Sequence, residues 1–296
     1  MASSGFRFAL RPVSLKLYFQ LIAEARGMHS GGDMDEQHLF EGLDGGNRRD
    51  KPRLVGLTMV VDWGLGPNRQ FDLQAMAAPY FDFAKIAVGL SRLYSNEMLK
   101  SKIRSYRAMD IEPFPGGQYL EYAEMHGKLD LYLPACQSAG YRWIEVSDNV
   151  ASVELEWKVR VIKDAVENFG MQVFGEVGKK EGLDHGPSFV EDASACLNAG
   201  ASVILLEAAE LVNADAGTER EVEETVKAVG IDKVMFELPG PWIEGVTESV
   251  IHRMRRELID RFGVDVNIGN VMPDDLFSFE AYRRDLGINA GSAAKP

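Results

Sequence analysis

The strongest constraint on how this chain folds is a recurrence of about thirty residues, the length of one strand plus one helix. Eight short apolar runs each close on a polar residue or a glycine: LVGLTMVVD from Leu54, YFDFAKIAVG from Tyr80, DIEPFPGG from Asp110 and YRWIEVSDN from Tyr141, then MQVFGEVGK from Met171, ASVILLEAAE from Ala201, KVMFELPG from Lys233 and VDVNIGN from Val264. Between them lie segments such as ELEWKVRVIKDAVENFG, with apolar residues three and four apart, which predict amphipathic helices. Gly140, Gly170, Gly200, Gly230 and Gly263 fall where such helices should stop, as left-handed caps. The runs are dense in Val, Ile and Phe rather than alternating with polar residues, as suits parallel strands covered by helices.

Eight βα units predict an α/β fold of the (β/α)8 TIM-barrel type over residues 51–296. The rival, an open doubly wound sheet, more often shows GxGxxG after its first strand, and VVDWGLGPNR is a poor match. Residues 1–50 read as an N-terminal extension: an accessory helix around residues 13–26, then a loop rich in Gly and Asp. The first acid is Glu24, a faint transit-peptide signal, but Arg7, Arg11 and Lys16 break up any secretory core.

With 45 acidic against 32 basic residues the net charge is −13, which repels polyanions, so neither nucleic acid nor an anionic membrane is an expected partner. The expected partners are a small anionic substrate, drawn in by a local basic cluster, and further copies of the chain. Two cysteines, Cys136 and Cys196, make no disulfide framework and fit a cytoplasmic location. The apolar stretches are too short and too interrupted to cross a bilayer.

In barrels of this kind chemistry is built where the strands end. Asp62 closes the first run, Lys85 lies within the second, and Gly116 and Gly117 end the third. Glu145, Ser147 and Asp148 close the fourth; Glu176, Lys179 and Lys180 the fifth; Glu207 and Glu210 the sixth; Glu237 the seventh; Asn267 and Asn270 the eighth. Carboxylates with ammonium groups suit a divalent cation such as Mg²⁺ and an anionic substrate. Asp62, Glu145, Asp148, Glu207 and Glu237 are the candidate metal ligands, and Lys180, Lys85 and Glu176 the candidate catalytic groups. Lys179, Gly116, Gly117, Ser147, Asn267 and Asn270 are candidates for holding substrate, the Gly-Gly turn through its amides. The blander alternatives are a structural network of the glutamates with Lys85, a solvated Lys179–Lys180 turn, a simple Pro-Gly-Gly turn, and a helix cap at Asp148-Asn149. Zinc is disfavoured, because the five histidines are scattered and neither cysteine has a ligand partner.

KPRLVGLTMVVDWGLG, PFPGGQYLEYAEMHGKLDLYL, GYRWIEVSDN, FGEVGKK, AGASVILLE and VNIGNVMPDDLFSFEAYRRDLG together resemble the phosphosulfolactate synthase family over most of residues 50–287. The resemblance implies a barrel lyase that adds sulfite to phosphoenolpyruvate with Mg²⁺ in coenzyme M biosynthesis, a branch of sulfonate metabolism. It also implies that Lys180, the second lysine of EVGKK, is the acid that protonates the enolate. The sequence departs from the family pattern on the phosphate side: LLEAAELVNAD and LPGPWIEGV lack the basic and glutamine residues expected after the sixth and seventh strands, AVGLS replaces GWGTS, and DLGINAG replaces an arginine-glycine-aspartate segment. Gly240, Trp242 and Asn289 leave a less charged pocket. Two alternatives follow: a hydro-lyase acting on a non-phosphorylated enoic acid, and a non-catalytic barrel of the stress-associated type serving as a binding or protective protein.

Overall fold

In the computed structural model the described residues are Phe40, Leu43, 48–151, 153–178, 187–207 and 216–287. Apart from Phe40 and Leu43 they belong to one compact unit, Gly45–Pro296. Each apolar run contains one strand: β1 (Thr58–Asp62), β2 (Phe83–Ile86), β3 (Glu112–Pro115), β4 (Trp143–Val146), β5 (Gln172–Val177), β6 (Val203–Glu207), β7 (Val234–Glu237) and β8 (Asn267–Val271). The strands pair in parallel in the order β3-β2-β1-β8-β7-β6-β5-β4, and the two end strands lie against each other, so the sheet nearly closes on itself. This is the expected (β/α)8 barrel.

The helices that cover it are α1 (Pro67–Ala77), α2 (Asn96–Arg107), α3 (Gln118–Met125), α4 (Leu129–Ala139), α5 (Leu155–Glu167), α6 (Phe189–Ala199), α7 (Ala216–Val229), α8 (Glu248–Phe262) and α9 (Leu276–Arg283). The β3–β4 connection carries two of them. Gly140 and Gly200, which follow α4 and α6, adopt φ of 103° and 110°, the left-handed geometry that a Cβ disfavours. At the other end of α6, Ser188 and Glu191 form a reciprocal capping box.

Side chains alternate across each strand, and this alternation builds two separate cores. Outward residues such as Val60, Ile86, Ile144, Val173, Ile204 and Phe236 meet the helices. Inward residues Met59, Phe83, Phe114, Phe174, Leu205 and Met235 fill the barrel. Their rings interlock: centroids are 4.6 Å apart for Phe114–Phe174 and 5.1 Å for Phe83–Phe174. The interior is therefore a packed plug rather than a pore.

The end of the barrel where the strands begin is tied by Arg48, from the stretch that reads as loop in the sequence, and by Arg53 just after it. Arg48 is buried, bonding Glu280 at 3.2 Å and the Gly56 carbonyl at 2.6 Å, while Arg53 holds Asp82 at 2.9 Å. Asp82 in turn accepts from the Thr58 amide at 2.8 Å, fixing the start of β1. Both cysteines are free and buried, and among the described residues no helix is long and apolar enough to cross a membrane.

Because Phe174 meets Phe83, Phe114 and Trp143 at the centre of the plug, Phe174→Ala should cost about 3–5 kcal/mol in chemical denaturation. A loss below about 1 kcal/mol would show that the plug is not close-packed.

Candidate active site at the barrel mouth

Two residues beyond the plug, the same alternation places a ring of charge. Phe83 is followed inward by Lys85, Trp143 by Glu145, Phe174 by Glu176, Leu205 by Glu207 and Met235 by Glu237. Lys85 Nζ lies 2.8 Å from Glu237 Oε1 and 2.9 Å from Glu145 Oε2, the second contact an ion pair without hydrogen-bond alignment. Oxygens of Glu176, Glu207 and Glu237 lie within 4.8 Å of one another, and Glu207 is in register with Glu237 across the β6–β7 ladder. Apart from Glu207, which is half-buried, these carboxylates are buried.

Neighbouring loops hold the carboxylates in place. Asn149 donates to Glu176 Oε1 at 2.5 Å. Buried Lys158 on α5 donates to the Glu176 carbonyl at 2.6 Å and to Asp192 at 2.8 Å, locking the end of β5 to α5 and α6. Glu121 on α3 accepts from the Ser147 hydroxyl and from the amides of Val150 and Ala151 at 2.6 and 2.7 Å, which fixes the loop after β4. The Gly-Gly turn is a steric requirement here. A Cβ on Gly116 would stand 2.9 Å from the Val88 amide nitrogen, and one on Gly117 would stand 2.3 Å from Ser147 Oγ and 2.9 Å from Glu145 Oε1.

The electrostatics follow from crowding several carboxylates around one ammonium. Burial alone would lower the Lys85 pKa, but Glu145, Glu237 and Glu176 outweigh it and hold the group well above its ordinary range, so it stays charged. Burial pushes Glu237 up; Lys85 pulls it partly back, Glu145 and Glu207 push again, and its pKa stands at about 8. Glu176 is raised well above the usual carboxylate range by burial first and then by Glu145, Glu237 and Glu207. Glu237 Oε2 is buried and has no hydrogen-bond partner among the described residues. An excess of carboxylate oxygens, one of them unsatisfied, fits a hard divalent cation, and Glu176, Glu207 and Glu237 are the residues that can hold it.

The other expected site residues are distributed differently. Asp62 is buried on the helix side of β1: Oδ1 accepts from the amides of Gly64 and Leu65, and Oδ2 accepts from Tyr106 at 2.7 Å and forms an ion pair with Lys102 at 2.5 Å, both on α2. Asp148 likewise faces Lys158, at 3.4 Å. Asn267 opens β8 rather than closing it, and its amide bonds the backbone of Leu57, Asp232 and Val234 a layer below the mouth. Asn270 stands at the mouth end of β8 with φ of 57°. Ser147 and Gly117 lie at the mouth beside Glu145, and Gly116 lies against the backbone that leaves β2. Lys179, Lys180, Glu210 and Asn289 lie outside the described residues.

Asn149, Lys158 and Lys102 were not anticipated as partners of these acids. The signal for the two lysines was a charge within an apolar helical stripe: Lys102 among Leu99, Ile103 and Tyr106, Lys158 among Val161, Ile162 and Ala165. Trp63, directly after β1, meets Trp242 of the β7–α8 connection with centroids 5.2 Å apart. Both remain partly exposed, at 43% and 46%.

Fold and site together define a TIM barrel with a charged cluster at the carboxyl ends of its strands, the place where such barrels carry chemistry. The model of the family described as (2R)-phospho-3-sulfolactate synthase matches residues 46–288. A phosphosulfolactate synthase of Methanothermobacter thermautotrophicus is 34% identical over 250 residues, covering 81% of this chain and 92% of that protein. Those of Methanocaldococcus jannaschii and Bacillus subtilis are 33% and 26% identical, covering 78% and 81% of this chain and 92% and 93% of theirs. The chain belongs to the phosphosulfolactate synthase family.

A carboxylate with a raised pKa binds its proton more tightly in the folded state than in the unfolded one, so stability falls as pH climbs from the unfolded toward the folded pKa. For Glu237 that window runs from 4.5 to about 8. In protein dialysed against chelator, the melting temperature should fall between pH 5.5 and 8, and Glu237→Gln should flatten the slope. A wild-type melting temperature that rises across this window would contradict the assignment.

Proposed function

We propose that this chain is a lyase that adds sulfite to the methylene carbon of phosphoenolpyruvate, with a divalent cation, Mg²⁺ by preference, at Glu176, Glu207 and Glu237. The observation that carries the reading is the cluster of these carboxylates, with charged Lys85 paired to Glu237 and Glu145 beside it, in a chain that matches the phosphosulfolactate synthase family from residue 46 to residue 288. When bound, the cation supplies positive charge that stabilises an enolised carboxylate. The sulfur lone pair forms the new carbon–sulfur bond, the double-bond electrons move toward the substrate carboxylate, and a proton is delivered to the adjacent carbon.

Lys85 acts in this scheme by charge. Its ammonium orients Glu145 and Glu237, and its raised pKa makes it a poor proton donor and a poor Schiff-base nucleophile. The proton is assigned to Lys180, with Lys179 as an anion contact. Asn149 and Lys158 position Glu176.

A second reading is favoured by the Trp63–Trp242 pair. Trp242 lies after the seventh strand, where the sequence departs from the basic pattern of the family, and an aromatic wall suits an unsaturated acid without phosphate. Incubation with phosphoenolpyruvate, sulfite and Mg²⁺, followed by ³¹P NMR, decides between them. The proposal expects a new phosphate ester, its loss with chelator and recovery with Mg²⁺, and a fall of at least about a hundredfold for Lys180→Ala and Glu237→Gln. Turnover only of non-phosphorylated enoic acids would establish the second reading. Absence of both turnover and any ligand-induced rise in melting temperature would leave a non-catalytic binding barrel.

A further inference from the structure

A cavity of about 430 Å³ lies on the outside of the barrel between α2, α3 and α4, with Pro115 at the end of β3 and Tyr141 just before β4 in its wall. None of the carboxylates at the mouth lines it, nor does Lys85. Its volume falls in the usual range for small-molecule sites.

The lining has an unusual composition for so acidic a chain. Five tyrosines, Tyr94, Tyr119, Tyr122, Tyr132 and Tyr141, supply aromatic surface. Tyr119 lies centroid to centroid 6.3 Å from Tyr122 and 5.7 Å from Tyr132. Arg92, Lys100 and Lys128 also line the cavity, and none of the three has an ion-pair partner among the described residues. No lining residue is acidic, although the chain carries a net charge of −13.

A second observation points to a ligand. Tyr132 is only 5% exposed, and its buried hydroxyl has no oxygen or nitrogen partner, only the neighbouring Cys136 thiol, which is a weak one. Buried hydroxyls are rarely left so, and that of Tyr132, in the cavity wall, leaves a polar valence open to an incoming molecule.

We propose that this cavity binds a small organic anion with an aromatic or alicyclic body. The body lies among the tyrosine rings, and the acid group lies between Arg92, Lys100 and Lys128, where charge-assisted bonds and ring contacts reinforce each other. This site is distinct from the barrel mouth and does not depend on the reaction proposed there.

The test is a fluorescence titration of the full chain with 8-anilinonaphthalene-1-sulfonate, compared with the uncharged N-phenyl-1-naphthylamine. The anion should bind at least about tenfold more tightly than the neutral probe, since the three cations select for charge. Ala135→Trp, which fills the cavity, and the double variant Arg92→Gln with Lys100→Gln should each weaken anion binding about tenfold or more without lowering the melting temperature by more than a few degrees. The charge variant alters exposed and half-buried positions, so it keeps the test decisive if the tryptophan variant fails to fold. Equal binding of both probes, unchanged binding by the charge variant, or no binding to the full chain would overturn the proposal. So would sedimentation showing that Ala135→Trp dissociates an oligomer, because the face would then be covered by a second copy.

Discussion

The structure depends on keeping one buried ammonium charged among several carboxylates inside a barrel that is otherwise filled with apolar side chains. Lys85 bridges from β2 to Glu145 on β4 and Glu237 on β7, so three separate strands are coupled through one charge. Burying such groups is costly unless they are paired, and removing one partner leaves an uncompensated charge. Lys85 compensates only part of the negative charge gathered here. Burial first, and then the neighbouring carboxylates, raise the pKa values of Glu176 and Glu237, so a proton or a cation is favoured there.

The plug below gives this arrangement its rigidity. Phe83, Trp143, Phe174, Leu205 and Met235 fix the backbone of the same five strands that carry Lys85 and the four glutamates two residues later. Side chains set on packed strands keep their mutual distances, which a polar cluster on loops would not do. The loops then add orientation: Asn149 on Glu176, and Gly117 allowing Ser147 and Glu145 to approach closely.

Most of the barrel was readable from the eight runs, because period and strand density are local properties of a chain. The glutamates of the mouth were readable too, as charges at matching places in successive units. What separates Asp62 and Asp148 from them is parity. On β1 Met59 faces inward, so Asp62 faces α2; on β4 Trp143 and Glu145 face inward, so Asp148 turns toward Lys158 on α5. Asn267 has the inward parity but lies one layer too low, level with Met235. Position at a strand end was therefore an incomplete criterion, and counting by twos from the plug supplies the missing part. Arg48 was beyond such reasoning, since its partner Glu280 is 232 residues away. The Trp63–Trp242 contact likewise joins two connections remote in the chain.

The most direct measurement is anomalous diffraction from crystals soaked in Mn²⁺, a stand-in for Mg²⁺. The account predicts a single strong peak at the mouth with carboxylate oxygens of Glu176, Glu207 and Glu237 about 2 Å away, lost in Glu237→Gln. A well-ordered mouth with no peak there, or a peak bound elsewhere, would contradict it.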